Sequence, residues 1–153
     1  MITHLRPCST EKGTAQYLGK AGIKLSRILV VDDDKAFCQY IATMLSNHGH
    51  EVGLAFDGLE GVKAFKHHQF DLVLVDIFMP EMEGIETIKE LRKLGKLVPI
   101  VAVSGGTSSC SCVDYLEISK KFGAFRTLQK PVGIHELMSV VRECLYLNSR
   151  SPH

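Results

Sequence analysis

The sequence predicts an α/β protein with a doubly wound parallel sheet of five strands. Short apolar segments of strand length alternate along the chain with longer segments that have helical periodicity. Most of the short segments lack a regular polar alternation, which is typical of parallel strands that are covered by helices on both faces. Five strand–helix units of this kind are expected to form one parallel sheet between two layers of helices.

The predicted strands are short and mostly apolar. The first ends in aspartate, and the third reads Asp-Leu-Val-Leu-Val-Asp. Pro99 fits only near the start of the fourth strand, because proline has no N–H group to donate to the ladder. The strands are predicted over residues 27–32, 51–56, 71–76, 98–103 and 125–128.

The predicted helices have apolar residues at intervals of three and four, which gives each a buried side. Gly49 and Gly95 end the first and third helices, and Asp57 is a suitable N-cap for the second. A loop rich in glycine and serine, Ser104 to Ser111, leads to a fourth helix that ends near Gly123. The other helices are predicted over residues 35–48, 58–68, 83–94 and 134–147.

We expect one domain, because 153 residues suffice for a single hydrophobic core. This domain is predicted over residues 27–147, with an N-terminal basic extension (residues 1–26) and a C-terminal tail (residues 148–153). The extension carries four lysine and arginine residues against one acid, Glu11. Its glycines argue against a long helix, and its place in the fold is left open.

The composition argues against several classes of protein. Hydrophobic residues make up 45% of the chain and charged residues 23%, as in ordinary globular proteins. The net charge of +1 argues against a nucleic-acid binder. No apolar run is long enough to span a bilayer, and the N-terminus lacks the apolar stretch of a signal peptide. We therefore expect a cytoplasmic protein that binds neither nucleic acid nor a membrane.

The cysteines predict reduced thiols, because their number is odd and their spacing fits no disulfide framework. Cys110 and Cys112 have the form of half a metal site, but no second pair of ligands lies nearby in sequence. A loop of small residues is the preferred interpretation. The five cysteines are Cys8, Cys38, Cys110, Cys112 and Cys144.

Acidic residues stand at the ends of two predicted strands. Asp32 and Asp33 follow the first strand, and Asp76 ends the third. If these strands are neighbours, the three carboxylates meet at the sheet edge where doubly wound proteins bind ligands. Such a cluster is costly without a cation, and hard oxygen ligands favour Mg²⁺. The alternative is that these acids only cap the next helix, but Asp34 alone would suffice for that.

A hydroxyl and an ammonium group are predicted at the same edge. Ser104 follows the fourth strand, and Lys130 comes two residues after the fifth. Each is a weak signal alone. Together with the acids they provide a nucleophilic carboxylate, a metal site, a hydroxyl donor and a cation. Phosphoryl transfer needs this set, because charge develops on the equatorial oxygens and catalysis is mostly positioning and neutralisation.

The ordered set of motifs resembles the receiver domains of bacterial response regulators, over residues 27 to about 147. The resemblance implies a flavodoxin-like fold with five strand–helix units. It also implies a stoichiometric phosphoacceptor that catalyses only its own phosphorylation and dephosphorylation, and is in that sense no enzyme. The motifs are Ile28–Asp34, Asp71–Pro80 with Gly84, Ser104, and Lys130-Pro131.

The resemblance also implies roles for individual residues. Asp76 would attack a phosphohistidine of a histidine kinase or a phosphotransfer protein. Asp32, Asp33 and Asp76 would bind Mg²⁺ together with the backbone carbonyl of Phe78, and Asp33 would be a more direct ligand than Asp32. Two further residues, Ser104 and Lys130, would contact the phosphoryl oxygens, and the Lys130-Pro131 peptide bond would be cis.

The chain departs from the family pattern at three places. Thr127 stands where the family has an aromatic residue, so the coupling of Ser104 to a rotating ring is in question. Gly105 replaces the usual alanine. The segment from Ser104 to Lys130 is longer than is common in the family, and the Gly106 to Ser111 loop is expected to hold the extra residues.

Slow spontaneous hydrolysis of the aspartyl phosphate is a further expectation. The resemblance places Phe78 and Gly106 beside the path of the attacking water, and neither side chain can orient that water by hydrogen bonding. Gly106 leaves the path more open, which opposes the effect, but we expect shielding by Phe78 and the lack of orientation to outweigh it.

Six residues follow Leu147, too few for a DNA-binding domain. We therefore expect a stand-alone receiver whose output is contact with another protein, not identified by the sequence. A homodimer formed on phosphorylation is left open, as are a relay intermediate, a phosphate sink and a piece of a hybrid kinase.

Three other functions fit the sequence less well. A flavodoxin-type cofactor binder needs a phosphate-binding loop where this chain has Asp32, Asp33 and Asp34, which repel phosphate. A hydrolase with an aspartyl-phosphate intermediate typically needs a cap domain, for which the chain has no room. A degenerate receiver that serves only as a scaffold is disfavoured by the complete acceptor set.

Overall fold

Five parallel strands form the centre of the fold. In this computed structural model the described residues are 25–79, 82–105, 117 and 119–150. The strands are β1 (Arg27–Val31), β2 (Glu51–Ala55), β3 (Leu72–Asp76), β4 (Ile100–Gly105) and β5 (Arg126–Lys130). The helices that are described over their length are α1 (Lys35–Asn47), α2 (Gly58–His67), α3 (Gly84–Lys93) and α4 (Ile134–Arg150).

The sheet has the strand order β2-β1-β3-β4-β5, and every neighbouring pair is parallel. The strand order reverses between β1 and β3, which are hydrogen-bonded neighbours. Ligand sites of doubly wound sheets form at this kind of reversal, beyond the carboxyl ends of the strands. The predicted doubly wound α/β fold is confirmed.

Two apolar layers hold the helices against the sheet, because successive strand residues point to opposite faces. On one face, β1 residues Ile28 and Val30 pack with the buried sides of α1 and α4. On the other face, Leu29 and Val31 pack with α2 and α3. The central strands β1 and β3 are therefore covered on both sides, which explains their continuous apolar sequences.

The structure corrects the bounds of three predicted elements. Strand β4 is expected over residues 98–103, but it runs from Ile100 to Gly105, so Ser104 lies within the strand rather than after it. Strand β5 was expected to stop at Leu128, but it pairs with β4 as far as Gly105 and Lys130. Lys130 therefore belongs to the ladder rather than to a loop. The last helix was expected to end at Leu147, but it continues to Arg150, and the Asn148 side chain donates a hydrogen bond to the Asp71 carbonyl (3.3 Å).

The residues predicted to cap or end the first three helices agree with the structure. Asp34 and Asp57 are the N-caps of α1 and α2, and each side chain accepts a hydrogen bond from a backbone N–H in the first turn. Gly49 and Gly95 have φ angles of 88° and 71°, in the left-handed region that glycine adopts without strain. Gly123, with φ of 115°, ends the helical turn before β5.

Several predictions lie outside the described residues. These concern residues 1–24 of the basic extension, the Gly106 to Ser111 loop, the end of the tail, and Cys8, Cys110 and Cys112. The cysteines that the structure describes, Cys38 and Cys144, are buried and free. Among the described helices, none combines the length and the apolar character that crossing a membrane would require.

Gly84 lies where the start of α3 packs directly on the end of β3. A Cβ atom at this position would lie 2.0 Å from the carbonyl oxygen of Asp76 and 2.5 Å from the Cα atom of Ile77. The Gly84 N–H also donates to the Ile77 carbonyl (2.9 Å). The backbone on both sides of the gap is therefore fixed, and there is no flexible side chain that can yield.

We expect Gly84→Ala to lower the free energy of unfolding by about 1–3 kcal/mol, because the added methyl group overpacks a rigid contact. Urea unfolding followed by circular dichroism measures the change. Gly133→Ala is the matched control, because no atom lies within 4 Å of a Cβ there. It should change stability by less than about 0.5 kcal/mol. Equal unfolding free energies for Gly84→Ala and wild type would contradict this account of the packing.

Candidate functional site

Three carboxylates meet at the carboxyl edge of the sheet. Asp76 ends β3, and Asp32 and Asp33 follow β1 in the adjacent position. One oxygen from each of the three carboxylates lies within 4.8 Å of the other two. Asp32 and Asp76 are buried, whereas Asp33 is exposed. The cluster therefore combines two desolvated acids with one that solvent can reach.

Asp32 is held by contacts on both of its carboxylate oxygens. Its Oδ1 accepts a hydrogen bond from the Asp34 N–H (2.9 Å), and its Oδ2 accepts one from the Lys130 ammonium (2.7 Å). The Cys38 thiol donates to the Asp32 carbonyl oxygen (3.3 Å). Burial nevertheless raises the pKa of Asp32, and the contacts with Lys130 and the Asp34 N–H only oppose that effect.

Asp76 has an oxygen that is left without a partner. Among the described residues nothing hydrogen-bonds to the buried Oδ1 atom, and the Lys130 ammonium lies 3.8 Å from Oδ2. Burial and then the nearby Asp32 charge raise the pKa of Asp76 to about 7. The Lys130 charge and a hydrogen bond from the Phe78 N–H lower the pKa, but by less. Additional positive charge at this site would therefore favour the ionised form of Asp76.

Ser104 and Lys130 reach the same edge from β4 and β5. Ser104 pairs with Gln129 in the ladder, and Gly105 pairs with Lys130. The Ser104 side chain is fully buried, and within the described part of the chain its hydroxyl has no hydrogen-bond partner. The Lys130-Pro131 peptide bond is cis, as predicted. Thr127 stands where the family usually has an aromatic residue. It pairs with Ala102, two ladder positions before the pair of Ser104 and Gln129.

The donor set fits a divalent cation. The three acids offer hard oxygen ligands, the ligand type that Mg²⁺ prefers. The Oδ1 atom of Asp76 accepts no hydrogen bond from the described part of the chain, and Asp32 repels the Asp76 charge. Both features favour a bound positive charge. Both oxygens of Asp32 already accept hydrogen bonds, which leaves Asp33 and Asp76 better placed to contact a metal directly.

Two residues near the site were missed by the functional interpretation of the sequence. The Lys130 ammonium lies 4.1 Å from the centroid of the Phe37 ring, and the Cys38 thiol contacts the Asp32 carbonyl. Phe37 fits the apolar spacing of α1, so the sequence indicates a core residue only. Its position one turn after Asp33 is the signal that places it near the acids.

The match to a family model decides the identification. The model of the response regulator receiver domain matches residues 28–142. The chain belongs to this family. Its receiver domain contains the acid cluster, Ser104 and Lys130, in the order in which the family resemblance places them.

Relatives and solved structures of this receiver family are similar over most of the chain. Transcriptional regulatory protein ZraR of Klebsiella oxytoca is 37% identical over 118 residues, which cover 77% of this chain and 26% of that protein. The chain therefore spans about a quarter of the length of this relative.

Two crystal structures of similar proteins support the fold. The CheY-like receiver domain protein from Methanospirillum hungatei JF-1 is 31% identical, with a TM-score of 0.75 and coverage of 83% of this chain and 98% of that one. Vibrio cholerae chemotaxis protein CheY4 is 29% identical, with a TM-score of 0.72 and coverage of 79% and 99%.

We expect Asp76→Asn to stabilise the metal-free receiver domain at pH 8 by about 1–3 kcal/mol. The pKa of Asp76 in the folded protein is raised, so folding is weakened as the pH increases from 3.8 to about 7, where the carboxyl ionises beside Asp32. The neutral amide removes this repulsion. Urea unfolding in the presence of a chelator, at pH 8 and at pH 5, measures the effect.

The stabilisation should shrink at pH 5, where Asp76 of the wild type is already protonated in the folded state. Asp57→Asn is the control, because Asp57 caps α2 outside the acid cluster and asparagine caps equally well. A destabilised Asp76→Asn protein at pH 8 would contradict the electrostatic description of the site.

Proposed function

We propose that the receiver domain accepts a phosphoryl group on Asp76 from a phosphohistidine of a histidine kinase or phosphotransfer protein. The observation that carries the proposal is the buried Asp76 carboxylate. One of its oxygens has no hydrogen-bond partner among the described residues, and a lysine ammonium lies 3.8 Å from the other oxygen. Membership of the receiver family supports the assignment.

The transfer forms one bond and breaks one. An ionised oxygen of Asp76 attacks the phosphorus, a new O–P bond forms, and the N–P bond of the donor breaks. The imidazole of the donor leaves with the bonding electron pair.

Lys130 and Ser104 are proposed to stabilise the charge on the phosphoryl oxygens. The ammonium lies between Asp32 and Asp76, at 2.7 Å and 3.8 Å, so a small shift brings it to a group on Asp76. The Ser104 hydroxyl is buried with its hydrogen-bonding capacity unused among the described residues. Fixed donors of this kind stabilise a transition state because they need little reorganisation during the reaction.

Asp32, Asp33, Asp76 and the Phe78 carbonyl are proposed to hold Mg²⁺. The ion would supply positive charge that neutralises the acids and the phosphoryl oxygens together. Asp33 is the exposed member of the cluster, so it offers a ligand that a hydrated ion reaches first.

We propose a stoichiometric acceptor whose output is contact with a further protein. Catalysis would then be confined to its own phosphorylation and dephosphorylation. ZraR is a transcriptional regulatory protein by name, whereas this chain, with its net charge of +1, is not expected to bind nucleic acid. A cytoplasmic location also stays a prediction.

Incubation with acetyl phosphate and Mg²⁺ should add one phosphoryl group to the wild-type protein, seen by intact-mass spectrometry. Asp76→Asn should show no adduct. Asp34→Asn is the matched control, because Asp34 caps α1 and asparagine retains that function while another acid of the same run is removed. An adduct on Asp76→Asn equal to that of the wild type would exclude Asp76 as the acceptor.

Decay of the phosphorylated protein should quicken in Phe78→Asn, by roughly tenfold or more, because an amide can orient the attacking water. Phe78 is 41% exposed and therefore lies at the surface rather than in either core layer, so the fold should tolerate the substitution. The phosphorylated fraction is followed by intact mass after removal of the donor. Equal or slower decay would contradict the explanation of slow hydrolysis. The second position of that explanation, Gly106, lies outside the described residues.

A further inference from the structure

Four contacts link Lys130, Asp32, Asp34 and Phe37 in a closed cycle. Lys130 Nζ donates to Asp32 Oδ2 (2.7 Å), and Asp32 Oδ1 accepts from the Asp34 N–H (2.9 Å). Asp34 Oδ1 accepts from the Phe37 N–H (3.1 Å), and the Phe37 ring centroid lies 4.1 Å from Lys130 Nζ. Each of the four residues is therefore held by contacts with two of the others.

We propose that Phe37 is a positioning residue for phosphoryl transfer, whose ring keeps the Lys130 ammonium within reach of Asp76. This inference rests on the proposed function, because it concerns the same reaction. An ammonium at this distance from a ring centroid is attracted to the electron-rich face of the ring. The attraction gains strength from partial burial, since the Lys130 side chain is only 20% exposed.

Lys130 needs such a contact because its side chain is long and flexible. Asp32 pulls the ammonium from one side, and Asp76 lies farther away at 3.8 Å. Gly105 contributes no side chain against the stem of the lysine, whereas a Cβ atom at that position would lie 3.5 Å from Lys130 Cδ, in ordinary van der Waals contact. The Phe37 ring therefore supplies a confinement that the glycine does not.

Packing in the core is the rival explanation for Phe37. The ring is half-buried and contacts the apolar layer beneath α1. Phe56 provides a matched comparison, because it packs against the same layer and its ring lies 5.4 Å from a different ammonium, that of Lys35. Phe56→Leu therefore removes the same kind of side chain without touching Lys130.

The first test is the rate of phosphorylation by acetyl phosphate at saturating Mg²⁺, which requires no protein partner. Phe37→Leu should slow the reaction roughly 3- to 10-fold. Phe37→Tyr, which keeps the aromatic face, should react at about the wild-type rate, and so should Phe56→Leu. Phe37→Met is a second apolar variant of similar volume, used if the leucine variant does not fold.

A double-mutant cycle separates positioning from packing. In a Lys130→Met background the ammonium is gone, so Phe37→Leu should cause no further loss of rate. A merely structural effect would instead multiply with the effect of Lys130→Met. Loss of the same factor in both backgrounds would overturn the proposal.

The second test needs neither metal nor donor. The ε-methylene protons of Lys130 should resonate upfield of those of exposed lysines in the NMR spectrum, because they lie near the face of the Phe37 ring. They should move downfield in Phe37→Leu and stay in place in Phe56→Leu. Unchanged Lys130 resonances in Phe37→Leu would overturn the proposal even if the rate fell.

The outcomes for the two proposals are distinguishable. Failure of the wild type to form an adduct would overturn the proposed function, and the positioning role for that reaction would fall with it. A phosphorylated wild type with an unaffected Phe37→Leu rate would overturn only the role of Phe37.

Discussion

The rest of the site depends on the burial of two carboxylates next to each other beneath one lysine ammonium. Like charges at this separation are tolerated only when a cation or a proton compensates them. Lys130 compensates Asp32, to which it donates at 2.7 Å, and it lies 3.8 Å from Asp76. Burial, and then the neighbouring Asp32 charge, raises the pKa of Asp76, and among the described residues its Oδ1 atom has no hydrogen-bond partner. The proposed binding of a metal ion and of a phosphoryl group depends on the same imbalance of charge.

The fold produces this imbalance through strand order and register. Parallel strands deliver their carboxyl ends to one edge, and β1 and β3 are neighbours at the reversal of the sheet. Asp32 and Asp76 therefore face one another without any long loop to place them. Pairing of β4 with β5 extends to Gly105 and Lys130, so the lysine arises from a rigid ladder. The close packing of Gly84 on the Asp76 carbonyl fixes the start of α3 against the end of β3.

Much of this arrangement could be predicted from the sequence, because it depends on periodicity and on residues at strand ends. The apolar runs predict the strands of the sheet, and the acids after β1 and at the end of β3 predict the acid cluster. The end of β5 was misplaced, since Gln129 and Lys130 are polar and only their pairing with β4 reveals the strand. The contact between Phe37 and Lys130 could not be predicted from the sequence, because helical spacing cannot distinguish a core aromatic residue from one that lies against an ammonium group.

The most important proposal is that the acid cluster binds a divalent cation beside Asp76. Calorimetric titration of the metal-free protein with Mg²⁺ tests it most directly. The account predicts one bound ion per chain in the wild type, and weaker binding by at least about tenfold in Asp33→Asn, because a direct charged ligand is lost. Wild-type protein that binds no Mg²⁺, or an Asp33→Asn variant that binds it with unchanged affinity, would contradict the account.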